Sequence, residues 1–219
     1  VRDRYSIAVG LIFFAVVVVA ILNQTGGDSG ILGLEDQPRH WPLPEFAVPL
    51  ATSGLEGDAN IAQDDCTGSE LPCTDRRTPA CRVDEPGAIR VCDLFSRPSL
   101  ISFWFSKGDG CISQQDVVNR VYERYRGRVA FLSLDVRDDP DTVRDLVRER
   151  DWRMPVGYDR DGAVAALYRL GGCPTFAYVF PGGALQSASV GELTAARLSD
   201  RIGQLLRATR AAEAGGRSR

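Results

Sequence analysis

Six cysteines carry the chemistry this chain can do: Cys66, Cys73, Cys81, Cys92, Cys111 and Cys173. No two are spaced as C-x-x-C, which disfavours a zinc or iron–sulfur site and a two-thiol loop of the ordinary kind. Cys111 has the most informative context. The apolar run Leu100–Phe105 ends in Ser106-Lys107-Gly108-Asp109-Gly110, and Cys111 then opens a helical pattern. A helix start offers unpaired N–H groups and the positive end of the helix dipole, and both stabilise a thiolate. Two readings of Cys111 stand side by side, a redox thiol and a buried inert sulfur. Lys107, the only lysine, either favours a thiolate at Cys111 or is an ordinary surface lysine.

The other residue types narrow the chemistry. The single histidine, His40, lies in a proline-rich tether, which excludes Cys-His couples, multi-histidine zinc and C-x-x-C-H haem attachment. No cofactor and no metal is expected. A net charge of −3 argues against nucleic acid as a partner.

The elements that must position the cysteines follow in order. Tyr5–Leu22 is apolar and about the length of a short membrane span. Arg2 and Arg4 precede it, so the reading is an uncleaved signal anchor at 1–22 with the remainder of the chain outside the cytoplasm, a cleaved signal peptide being the alternative. The expected place is therefore the cell membrane, single-pass, with an extracytoplasmic C-terminal domain. Residues 23–45 read as a flexible tether. Residues 46–207 read as one domain. Within it, 51–88 has no sustained period and holds Cys66, Cys73 and Cys81, so it reads as an insertion cross-linked by disulfides. Those three and Cys92 allow three pairings; Cys66–Cys73 with Cys81–Cys92 is the nearest-neighbour choice.

Beyond the insertion the pattern alternates. It predicts a buried strand at 99–106, a helix at 111–126 facing inward through Val117, Val118, Val121, Tyr122 and Tyr125 and closed by Gly127, and a strand at 129–136. A helix follows with Pro140 in its first turn, capped by Asp139 or Asp141. Then come a strand at 154–158, a short helix at 163–170, a hairpin 175–190 turning at Gly182-Gly183, and a helix at 192–207. Residues 208–219 read as a disordered tail. This is an α/β fold with a mixed, largely parallel sheet, to which the closing hairpin adds antiparallel pairing.

Three stretches resemble the thioredoxin fold, and most closely the membrane-anchored TlpA/ResA-like thioredoxins. Ile101-Ser-Phe-Trp-Phe-Ser106 is similar to the family strand before its W-C-x-x-C motif. Pro155–Gly162 with Val164–Tyr168 is similar to its P-v-x-x-D-x-x-G-x-v-a-x-x-Y segment, and Gly172-Cys-Pro-Thr-Phe176 to its G-x-P-T-x-F. The likeness spans about residues 89–207. It implies a mostly parallel central sheet with flanking helices, a cis Pro174 facing the site, and protein thiols or disulfides as partners. It also sets Gly108 at the attacking-cysteine position and Cys111 at the resolving one, so the motif is a degenerate G-x-x-C. In such a fold Cys173 lies against the start of the Cys111 helix, and the two sulfurs are expected to form a redox pair.

Three functions remain open. One is a tethered thiol-disulfide oxidoreductase using Cys111 and Cys173, with Pro174 and Lys107 in its site. Another is a non-catalytic thioredoxin-fold module of the cell envelope. The weakest is a peroxiredoxin-type peroxidase, because its T-x-x-C threonine is missing.

Overall fold

A computed structural model describes residues 33–55, 79–108 and 110–216. The Tyr5–Leu22 span, Cys66 and Cys73 lie outside the described residues. Among the described residues, no helix is long and apolar enough to cross a membrane.

The strands are β1 (Ala47–Pro49), β2 (Ala88–Arg90), β3 (Ser99–Trp104), β4 (Ala130–Val136), β5 (Val156–Asp159), β6 (Thr175–Val179) and β7 (Leu185–Val190). The α-helices are α1 (Cys111–Tyr125), α2 (Pro140–Glu149), α3 (Ala163–Leu167) and α4 (Ala195–Gly216). β1 and β2 pair as a small antiparallel ribbon, and the other five form one sheet in the order β5-β4-β3-β6-β7.

β3 is central and every residue in it is buried, including Ser99 and Ser102, whose hydroxyls are hydrogen-bonded. Alternation then divides the core. Leu100 and Trp104 face a cluster built with Val118 and Val121 of α1, Val143 of α2, and Leu198, Ile202 and Leu205 of α4. Ile101 and Phe103 face the other cluster, with Val164 of α3, Tyr168, Phe46 and Leu34.

The sheet is less parallel than the sequence pattern suggests. β3–β4 and β4–β5 are parallel and β6–β7 is the expected antiparallel hairpin, but β3–β6 is antiparallel as well. The cause is the shortness of α3. Its five residues rise only about 7.5 Å, too little to carry the chain back along the sheet. β6 therefore starts at the edge where β3 ends, which is what brings Pro174 towards Cys111.

Two other expectations are corrected. The tether does not stay free up to residue 45. From Gly33 it packs on the domain: Leu34 is fully buried, the N–H of Leu43 donates to the carbonyl of Gly183, and exposed His40 stacks on the Phe180 ring at 5.2 Å. The tail does not begin at 208, because α4 continues to Gly216. Its alanines favour helix, and Thr209 is buried with its hydroxyl donating to the Leu205 carbonyl. Smaller differences concern caps: α1 ends at Tyr125 without a left-handed Gly127, and Asp139 is the N-cap residue of α2.

Candidate active site

The site lies where β3 ends, α1 begins and β6 begins. Cys111 is the first residue of α1 and only 1% exposed. Cys173 precedes β6, is partly exposed, and is joined to Pro174 by a cis peptide bond. The two cysteines form a disulfide with their Cα atoms 5.9 Å apart, within the usual range for a bridge. Lys107 is exposed in the preceding turn. Cys81 and Cys92 form a separate disulfide, Cα to Cα 5.8 Å, in the 3-10 turns flanking β2.

Glycines shape the turn into α1. A Cβ on Gly108 would lie 2.6 Å from the Cys111 Sγ and 2.9 Å from the Phe105 ring. The absent side chain is thus what leaves Cys111 room to turn towards Cys173. Gly110 caps the helix with φ of 80°, a left-handed conformation that suits glycine, and the Glu192 carboxylate lies over its Cα.

Buried amides hold the three segments together. Gln114 Nε2 donates to the Leu193 carbonyl (3.1 Å), and Gln114 Oε1 accepts from the Leu193 N–H (2.8 Å). The N–H of Gly191 donates to the carbonyl of Pro174 at 2.9 Å, so the same loop secures the Cys173–Pro174 segment. Gln115, fully buried, accepts at Oε1 from Ser102 (3.2 Å) and Ser133 (3.0 Å), which pins α1 to β3 and β4. The sequence reading missed both glutamines because it began the inward face of α1 at Val117. Positions 111, 115, 118 and 122 follow one helical period, and that spacing already turned Gln115 inward.

Acidic groups hold the turn from below. Asp138 accepts from the Ser106 N–H and, at 2.7 Å, from the Ser106 hydroxyl. Asp135 in turn accepts at Oδ1 from the Asp138 N–H, at 3.2 Å. Among the described residues its Oδ2 is buried without a partner, as is Nε1 of Trp104, its register neighbour on β3. Desolvation, aided by Asp138, pushes the Asp135 carboxyl up to about 9. Desolvation also raises Asp159 to about 7, although N–H groups of Ala165 and Val164 oppose it.

A pH dependence of stability follows. Folded Asp135 keeps its proton up to about pH 9, whereas in the unfolded chain it ionises near 4. Between these values the unfolded chain binds fewer protons at this site, so the contribution of Asp135 to stability is fully present below about 4 and declines as pH rises through the window, joined by that of Asp159 up to about 7. Asp135→Asn is expected to remove most of that decline and to stabilise the fold at pH 8, read by urea unfolding at pH 5 and pH 8. Equal slopes with pH in the two proteins would contradict the assignment.

The fold is thioredoxin-like, and a disulfide joins the start of α1 to the loop before β6. No family model matches the chain. Its relatives are ResA-like thioredoxin-fold proteins. The chain is 25% identical over 154 residues to the thiol-disulfide oxidoreductase ResA of Oceanobacillus iheyensis, covering 70% of this chain and 77% of that one. It is 24% identical over 111 residues to ResA of Bacillus cereus, covering 50% of this chain and 64% of that one. Among solved structures, a thioredoxin-family thiol:disulfide interchange protein from Chlorobium tepidum superposes with a TM-score of 0.56 at 13% identity, over 78% of this chain and 99% of that one. A DsbF homologue from Corynebacterium diphtheriae gives 0.55 at 17% identity, over 74% and 85%.

Proposed function

We propose that the chain is an exported, membrane-tethered thiol-disulfide oxidoreductase whose redox pair is Cys111 and Cys173. The observation that carries the proposal is the bridge itself, with one sulfur on the first residue of a helix and the other beside a cis proline. The names of the relatives support the reaction class. The Arg2 and Arg4 flank of the apolar Tyr5–Leu22 run supports the tether.

The reaction is exchange of two electrons. A thiolate attacks one bridge sulfur, a mixed disulfide forms, and the other sulfur leaves as a thiolate. A second thiolate then resolves the mixed disulfide, leaving both cysteines reduced and the partner oxidised. Protein partners fit the surface. Phe105, at the turn, and Val190, packed on Gly172, are the exposed large hydrophobic residues among those described, and they flank the bridge at either end.

Incubation with a dithiol, followed by transfer to a disulfide-bonded protein, tests this. Cys111–Cys173 should open, and the reduced protein should reduce the second one. A bridge that opens only on unfolding would favour the non-catalytic module instead.

A further inference from the structure

We infer that Cys173, not the helix-opening Cys111, is the sulfur that accepts the incoming thiolate and carries the mixed disulfide. The inference rests on the redox reading of this bridge and assigns its direction.

Thiol-disulfide exchange needs the attacking thiolate to approach in line with the S–S bond, from the far side of the sulfur it attacks. The two sulfurs are not equally open to that approach. Cys111 is 1% exposed and belongs to the core cluster that holds Trp104 and Val118, and the Gly108 backbone stands close against its Sγ. Cys173 is partly exposed in the loop before β6. The C-x-x-C arrangement would have put the open sulfur at position 108; with glycine there, the open sulfur belongs to the loop before β6.

The departing sulfur needs no access, only stabilisation as a thiolate. Cys111 has it from the first-turn N–H groups of α1. The Glu192 carboxylate lies at the same helix end and competes for that field. Glu192 is exposed, so solvent and salt screen it, whereas the sulfur within the core feels the helix end directly. The balanced step is R–S⁻ plus Cys173–S–S–Cys111 giving R–S–S–Cys173 plus Cys111–S⁻. The pair gains two electrons once a second thiolate releases the mixed disulfide as R–S–S–R and frees Cys173 as a thiolate.

The test uses the oxidised full chain and reduced glutathione. Brief exposure is stopped with iodoacetamide, and glutathione and carbamidomethyl groups are located by peptide mass spectrometry. Glutathione on Cys173 with alkylation on Cys111, in at least about tenfold excess over the opposite pattern, is the expected result. Glutathione mainly on Cys111, or equal amounts on both, would overturn the inference. Cys111→Ser and Cys173→Ser, each confirmed as folded by circular dichroism, give an independent measure with glutathione disulfide. Cys173 in the first should react at least about tenfold faster than Cys111 in the second, and the reverse order would overturn the inference. These single-cysteine rates do not require turnover, so failure of the oxidoreductase reading itself shows separately, as a wild-type bridge that dithiols leave closed.

Discussion

Replacing Cys173 by serine is expected to lower turnover between a dithiol and a protein disulfide by about three orders of magnitude, ~4 kcal/mol of activation free energy. The argument is stoichiometric. Among the described residues the site holds two sulfurs, Cys111 and Cys173, and glycine occupies the position of a local partner for Cys111. With either sulfur gone, a mixed disulfide can form but cannot be resolved within the molecule. Cys111→Ser should therefore fail equally. Loss of the bridge also removes a cross-link between residues 62 apart in sequence, about 4 kcal/mol in the chain-entropy model. The proper control for folding is therefore wild type with the bridge reduced, whose melting temperature each variant should match. Turnover within tenfold of wild type by either variant would contradict the assignment.

Gly108→Cys is expected to re-route the bridge. The Cβ of a residue at 108 would stand 2.6 Å from the Cys111 Sγ. In a disulfide that Cβ-to-sulfur separation is about 3 Å, from an S–S bond near 2.04 Å. A few tenths of an ångström of movement would let the introduced thiol bond Cys111, and three residues of separation make its closure entropy far smaller than that of the 62-residue loop. Most molecules should then show Cys111 bonded to residue 108, with Cys173 alkylatable without reductant. Persistence of Cys111–Cys173 with the introduced thiol free would mean that the turn resists the shift, and that Gly108 does not set the pairing.

The likeness to a known fold, rather than periodicity, made the closeness of Cys111 and Cys173 legible. No local pattern links residues separated by 62 positions; the G-C-P-T segment did so by its resemblance. Strands such as Ser99–Trp104 were readable because burial on both faces leaves a predominantly apolar run, interrupted only by small serines. The antiparallel entry of β6 was hidden, because strand direction depends on how far a connection travels and not on the strand's own residues. Gln114, Gln115, Asp135 and Asp138 were hidden for another reason. Helical spacing turned Gln115 inward, but what each of these polar residues holds depends on partners elsewhere in the chain. Ser102, Ser133, Leu193 and Ser106 come from distant parts of the chain. The packing of residues 33–45 was masked by proline- and glycine-rich composition, which describes a tether equally well whether or not it is docked.

The reduction potential of the Cys111–Cys173 bridge tests the central claim most directly. The folded protein is equilibrated in dithiol/disulfide buffers of graded potential and quenched in acid, and the two oxidation states are counted by mass spectrometry. A redox-active bridge should titrate as a two-electron couple well above about −300 mV, below which structural disulfides usually lie. A bridge that remains closed in the folded protein at potentials below that value would contradict the account.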